Sequence, residues 1–283
     1  MTLINIITKS VLASCISLLV CFSSTNGFNA DSFARIGSNS NAVVISSLPV
    51  TSSSTSSSTS SPAASPAVLI FSKTNGYRHK SIEAGKAAFT KMAAEKKFTV
   101  EFTEDSTQFT TANLKRFKAV VFLNTTGNVL SDEEQGVFEK FIQAGGGYLG
   151  IHSATDCEYN WPWYGKLAGA YFLGHPGPKN VLNGKFYVVD KNHPSTKGMP
   201  AEFERSDEFY SFKQIDPSIN VLIKIDEKSY EGGKNGDNHP MSWYHNFDGG
   251  RAFYTEMGHT DETFSEPLFL NHVYAGLQYA IGK

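Results

Sequence analysis

Tyr148-Leu149-Gly150-Ile151-His152-Ser153-Ala154-Thr155-Asp156 is a short apolar run that stops on a histidine, three small residues and an acid. Preceded by Gly145-Gly146-Gly147, it predicts a strand buried on both faces. Gly150, Ser153 and Ala154 let the backbone turn sharply behind the strand and present one side chain. A nucleophile elbow would carry serine or cysteine there. Here the residue is His152, and an imidazole, which titrates near neutrality, suits a general base, a nucleophile or a metal ligand. The plainer alternative is a structural histidine bonded to backbone.

Outward from this strand the pattern repeats. Ala67 to Ser72 and Ala119 to Leu123 are continuous apolar runs, and Phe98 to Phe102 alternates as a further strand. Ser81 to Lys97 reads as a helix with Ser81 as its N-cap and Ile82, Ala88, Phe89 and Met92 on its apolar side. Thr111 to Phe117 reads as a short helix. Ser131, three residues before Glu134, is the start of a capping box and opens a helix running to about Gln143. Strands alternating with helices at this spacing imply right-handed crossovers and a parallel sheet.

The C-terminal half reads differently. Asn183-Gly184 predicts a hairpin between Val181-Leu182 and Lys185 to Val189. Further strands are expected at Asn220 to Ile225, Met241 to His245 and Arg251 to Thr255, the last two joined by a turn at Asp248-Gly249-Gly250. A closing helix spans about Glu266 to Ile281. The expected fold is therefore α/β, a mostly parallel central sheet with antiparallel additions.

Ahead of this domain, assigned to residues 67–283, Lys9 is followed by the apolar run Ser10 to Phe22 and then by small polar residues. Residues 1–27 have the pattern of a secretory signal cleaved after Gly27, with a lipoprotein signal at Cys15 as the alternative. The run of about thirteen residues is too short to span a bilayer, which takes roughly 20, so no span is expected in the mature form. Residues 28–66 form a disordered linker rich in Ser and Thr, a plain tether or a carrier of O-linked sugars. The expected location is outside the cell or in the periplasm. A net charge of -2 gives no electrostatic reason to expect nucleic acid as a partner. Of 3 cysteines only Cys157 lies outside the signal, so the domain has no internal disulfide.

In open α/β sheets ligands bind at the carboxyl ends of the parallel strands. There the sequence places His79 after the first strand, Asn124 after the third, His152 and Asp156 after the fourth, and Glu256 and His259 after the last. Trp161-Pro162-Trp163-Tyr164 is either a sugar-stacking platform or a cap on the core. Asp207-Glu208 offers adjacent acids, and His175 precedes Pro176. No H-E-x-x-H pair occurs, so no metal site is written in the sequence, although dispersed histidines and carboxylates can still meet around a divalent metal. Gly232 to Gly236 lacks phosphate-loop spacing and reads as a loop. Asn124-Thr125-Thr126 is a glycosylation sequon, but inside the expected cleft a glycan would block the site.

Several stretches together resemble the ThuA-like (trehalose-utilisation) family. They are Gly76 to Ile82, Gly145 to Asp156, Trp161 to Pro176, His193 to Thr196, Asp207 to Tyr210 and Gly250 to His259. The resemblance implies a flavodoxin-like sandwich similar to class I glutamine amidotransferases. Those enzymes keep a cysteine nucleophile at the elbow. His152 and Ala154 break that motif, so glutamine hydrolysis is not expected. It also implies a role in metabolism of trehalose, related glucosides or 3-keto sugars, with a small carbohydrate as partner. The leading expectation is an exported enzyme with His152 as acid–base centre and Asp156, His79, Glu256 and His259 as positioning or proton-transfer groups. Asn124, Trp163, His175, Asp207 and Glu208 would hold substrate. The alternatives are a sugar-binding module without turnover and a metal-dependent hydrolase. The sequence assigns no oligomeric state.

Overall fold

Apolar runs too short for helices pair as strands, and the amphipathic segments between them cover both faces of the resulting sheet. The computed structural model describes residues 65–283. The expected signal and all but the end of the expected linker lie outside the described residues. In chain order the first elements are β1 (Ala67–Phe71), α1 (Ile82–Lys96), β2 (Thr99–Thr103), α2 (Thr111–Leu114), β3 (Ala119–Leu123), α3 (Asp132–Gln143) and β4 (Gly147–Ile151). β1 pairs in parallel with β2 and β3, and β3 with β4. Every residue of β3 and β4 is buried, which explains their unbroken apolar character. α3 starts on the expected capping box: Ser131 Oγ accepts from the Glu134 amide, and the Glu134 carboxylate accepts from the Ser131 amide.

Beyond β4 come a single-turn 3-10 helix (His152–Thr155), α4 (Pro162–Ala168), β5 (Tyr171–Gly174), β6 (Val181–Val188), β7 (Glu202–Glu208) and β8 (Ser211–Lys213). They are followed by β9 (Asn220–Ile225), β10 (Pro240–Phe247), β11 (Gly250–Thr255) and α5 (Pro267–Ala280). The main sheet runs β2-β1-β3-β4-β11-β10-β9-β6-β7, while β5 and β8 make a separate ribbon. β11 continues the parallel half beside β4, and β10, β9, β6 and β7 add antiparallel strands. One core, including Phe122, Phe138, Tyr148 and Tyr164, lies on one face of the sheet. The other, with Phe89, Leu149, Phe253 and Leu277, lies beneath α1 and α5. The fold is the α/β sandwich that the sequence predicts.

Three local expectations are corrected. Asn183-Gly184 is not a turn but lies inside β6, which pairs along its length with β7. A Cβ on Gly184 would sit 2.7 Å from the Phe209 ring and 2.8 Å from Ile225, so the glycine serves close packing rather than chain reversal. Ser81 precedes α1 but does not cap it, because its hydroxyl donates to the Gly258 carbonyl at 2.9 Å instead. The α-helix beginning at Thr111 closes at Leu114 rather than Phe117. The turn at Asp248-Gly249 is as expected, with both residues at positive φ, the combination that matches strand twist in a two-residue hairpin. No described helix is long and apolar enough to cross a membrane.

Candidate functional site

The carboxyl ends of β3 and β4 both leave the sheet through a non-glycine residue in the left-handed region, Asn124 at φ 50° and His152 at φ 49°. Such conformations are uncommon outside glycine and cost of order 1–3 kcal/mol each, so they persist where the surroundings fix them. Asn124 is fixed by its amide, which donates to Ser81 Oγ and to the Gly258 carbonyl. His152 is fixed by its ring. Nδ1 lies 2.8 Å from the Glu256 backbone carbonyl, and because a carbonyl only accepts, Nδ1 carries the hydrogen. Nε2 then points to Glu208 and His259.

Three more side chains meet it there. Glu208 Oε2, at the end of β7, lies 3.2 Å from His152 Nε2 and 3.0 Å from His259 Nδ1. The two histidine nitrogens are 3.3 Å apart. His79, in the loop after β1, packs edge-on to both other rings, with centroids at 4.8 and 5.1 Å, and its Nδ1 is 3.3 Å from Ser153 Oγ. One donor atom from each of His79, His152, Glu208 and His259 lies within 4.8 Å of the others.

Water hardly reaches this cluster: His152 is fully buried, and His79 and Glu208 are each 3% exposed. Burial, with His152 and His259 nearby, pushes the His79 imidazole down to about 2. Burial alone would also lower His152, but the carboxylates of Glu208 and Glu256 outweigh it and hold that ring at about 10. Burial would raise Glu208, yet its hydrogen bonds with His152 and His259 hold it well below the usual carboxylate range. Burial pushes Glu256 up to about 7 against the pull of His152. One carboxylate is thus held charged above the His152 ring and a weaker acid beneath it.

Three members of the cluster, His79, Glu208 and His259, form the floor of a pocket of about 220 Å³ whose walls include Tyr77, Asp156, Phe172, His175, Asn180 and Tyr210. Of the ten residues named from the sequence, five line this pocket: His79, Asp156, His175, Glu208 and His259. His152 is fully buried directly behind Glu208 and His259. Three more lie deeper. Glu256 is fully buried beneath His152, and its Oε1 accepts from the Tyr210 amide. Asp207, paired with Arg205 at 2.9 Å, accepts the amides of Gly258 and His259 and so sets the loop carrying His259. Asn124 orders the same loop from the other side rather than facing a ligand. Trp163 is elsewhere: it packs on Phe247, and its indole donates to Asp248 at 2.8 Å, both residues belonging to the hairpin that precedes β11.

Asn180 and Phe172 escaped the sequence reading. Asn180 donates to Glu208 Oε1 at 2.7 Å and fixes which carboxylate oxygen turns inward. Phe172 lies against Tyr210, ring centroids 4.1 Å apart, as an aromatic wall. Cys157 takes no part in the cluster, since its buried thiol donates to the Gly127 carbonyl and burial pushes its pKa up.

The fold and this strand-end cleft define an α/β protein with a mostly parallel central sheet and a histidine at the turn that leaves β4. The trehalose-utilisation family, ThuA, matches residues 67–280, and the chain belongs to it. Among solved structures it is similar to a ThuA-like protein of Bacteroides uniformis. That match has 25% identity and a TM-score of 0.67, over 80% of this chain and 96% of that one. A ThuA-like protein of Parabacteroides merdae matches at 18% identity and a TM-score of 0.63, over 77% of this chain and 90% of the other. A β-galactosidase from Bacillus circulans sp. alkalophilus shares the fold alone, at 9% identity and a TM-score of 0.51, over 76% of this chain and 31% of its own. No curated protein matches the chain.

Proposed function

We propose that this chain is an exported enzyme of carbohydrate metabolism. In this reading the cluster around His152 is the acid–base centre for a glucoside or 3-keto sugar bound in the pocket above it. The observation that supports it most is the convergence of three histidines and a carboxylate, all but His259 buried, at the foot of one pocket behind a strained backbone. Burying such groups costs stability unless they are paired, and a module that only held sugar would gain nothing from it. The pocket walls suit a sugar. Asp156, His175 and Asn180 offer partners for hydroxyl groups, and Phe172 with Tyr210 offers the apolar face that Trp163 does not supply. Membership of a trehalose-utilisation family points to the same substrate class. The apolar run Ser10 to Phe22 behind Lys9 supports export.

The test is a panel of trehalose, simple glucosides and their 3-keto forms, incubated with the wild-type protein and with His152→Ala and His152→Gln. Turnover of at least one sugar is expected, falling roughly 10²–10⁴-fold in both variants, the range for loss of a proton-transfer centre. Circular dichroism would establish that the variants fold. Binding without product at any pH, with affinity unchanged in His152→Ala, would sink the enzyme reading in favour of a carbohydrate-binding module.

A further inference from the structure

We infer that His79, His152, Glu208 and His259 form a binding site for one divalent first-row transition-metal ion. The inference deepens the acid–base reading of the pocket, on which the ion's catalytic role rests, but binding of the ion is testable by itself. It starts from three distances. His152 Nε2, His259 Nδ1 and Glu208 Oε2 stand 3.2, 3.0 and 3.3 Å apart, pair by pair. Two ligand atoms each about 2.1 Å from a common ion are separated by about 3.0 Å at a right angle and about 3.4 Å at the tetrahedral angle. The three atoms are therefore spaced as one face of a coordination polyhedron.

Each of the three atoms can offer a lone pair to a metal ion once it carries no proton. His152 Nδ1 holds its hydrogen against the Glu256 carbonyl, so in the neutral ring Nε2 is the bare nitrogen. Glu208 Oε1 is engaged by Asn180, which leaves Oε2 to face the same point. A single proton on Nε2 answers Glu208, but it gives no reason for His259 and His79 to converge there too. A dication does. His79 keeps Nδ1 near Ser153 Oγ, which leaves Nε2 as its available donor.

The outer layer has the composition that metal sites use to orient their ligands. A backbone carbonyl holds His152, an amide holds Glu208, and Asp207 holds the backbone of the loop bearing His259. Three imidazoles and one carboxylate favour zinc, manganese, iron or cobalt over magnesium and calcium, whose shells are built from oxygen. The pocket above the cluster leaves an open side through which a sugar oxygen or water can approach.

The full chain, stripped with a chelator and dialysed, is titrated calorimetrically with Zn²⁺, Mn²⁺ and Co²⁺, with Mg²⁺ as the comparator. One Zn²⁺ per chain is expected, with affinity at least about 100-fold weaker in Glu208→Gln and His259→Ala, since even outer-layer changes cost about 10–100-fold. Unchanged urea midpoints of the stripped variants would show that the loss is local. If either variant does not fold, the visible spectrum of the Co²⁺-loaded wild type decides: intense d–d bands support the histidine site, and a weak spectrum like that of aqueous cobalt overturns it. Absence of stoichiometric binding, or binding equal in both variants, also overturns it. Full turnover by stripped protein would remove the ion's role and leave the carbohydrate reading standing. A bound ion with no turnover of any sugar would do the reverse.

Discussion

The two ends of the parallel sheet bury different chemistry. At the carboxyl ends His79, His152, Glu208, Asp207 and Glu256 are withdrawn from water within one neighbourhood, with His259 at its margin. At the amino end, beside the hairpin that leads into β11, Trp163 stacks near Trp161 and packs on Phe247 and Phe138. Each indole N–H there already has a carboxylate partner, Glu139 for Trp161 and Asp248 for Trp163. Aromatic surface whose polar atoms are answered locally is a packing device. The buried charges of the carboxyl ends have local partners too, but four of these side chains also bring their donor atoms to a common point, and it is this end that forms the candidate site.

The sharpest way to break the comparison is to remove a buried charge from the carboxyl end. Asp207 is fully buried, pairs with Arg205, and holds two amides of the loop bearing His259. Asp207→Ala leaves the Arg205 guanidinium buried with only Glu266 and Thr263 as polar side-chain partners. Unfolding in urea should show a loss of about 3–5 kcal/mol, the cost of breaking a buried ion pair from one side. A loss below about 1 kcal/mol would mean that the charges at this end are solvated after all.

A buried histidine outside both ends shows the effect of burial as the largest influence. His272 on α5 is fully buried, with Nδ1 2.9 Å from the Ser195 carbonyl and Nε2 2.9 Å from Ser242 Oγ. Burial lowers its pKa to about 4 from 6.5, with His193 and Arg205 adding to the effect and the Ser195 carbonyl opposing it. Between those values the unfolded chain binds a proton that the folded chain refuses, so stability rises with pH across the window. Its contribution is complete above 6.5, falls as pH drops toward 4, and changes no further below that. The loss amounts to something on the order of 3 kcal/mol. Urea midpoints at pH 7 and pH 4.5 should differ less in His272→Gln than in the wild type; equal differences would assign the slope to other groups.

The parallel half of the fold is legible because its central strands β3 and β4 are buried on both faces and must be apolar throughout, and because Ser131 and Glu134 mark the start of α3 by their own hydrogen bonds. In the antiparallel half, residue type and role separate. Asn183-Gly184 has turn chemistry but lies within a strand, since the demand on Gly184 comes from Phe209 and Ile225, distant in sequence. Charged residues recur along β7, yet Glu202 and Glu204 are exposed while Arg205, Asp207 and Glu208 on the same strand are buried. The three cluster histidines could be found because each follows a strand of the parallel half. Glu208 could be named but not placed, because β7 lies at the far edge of the sheet. Asn180 carries no local signal at all: its role depends on the carboxylate it meets.

The smallest expected effect tests the amino end. If Trp163 is packing surface, Trp163→Ala should remove partly buried contacts with Phe138 and Phe247 and one hydrogen bond to an exposed carboxylate. Because the ring is only partly buried, the cost should be about 1–2 kcal/mol, less than that of truncating a fully buried aromatic. Sugar affinity and turnover should stay within about twofold of wild type, since Trp163 lies across the sheet from the histidine cluster. Tyr210→Ala provides the contrast, because it removes a pocket wall in contact with Phe172 and tilted against the His152 ring, with centroids 4.3 Å apart. Sugar binding that weakens in Trp163→Ala but not in Tyr210→Ala would reverse the assignment of the two ends and place the carbohydrate on the hairpin side.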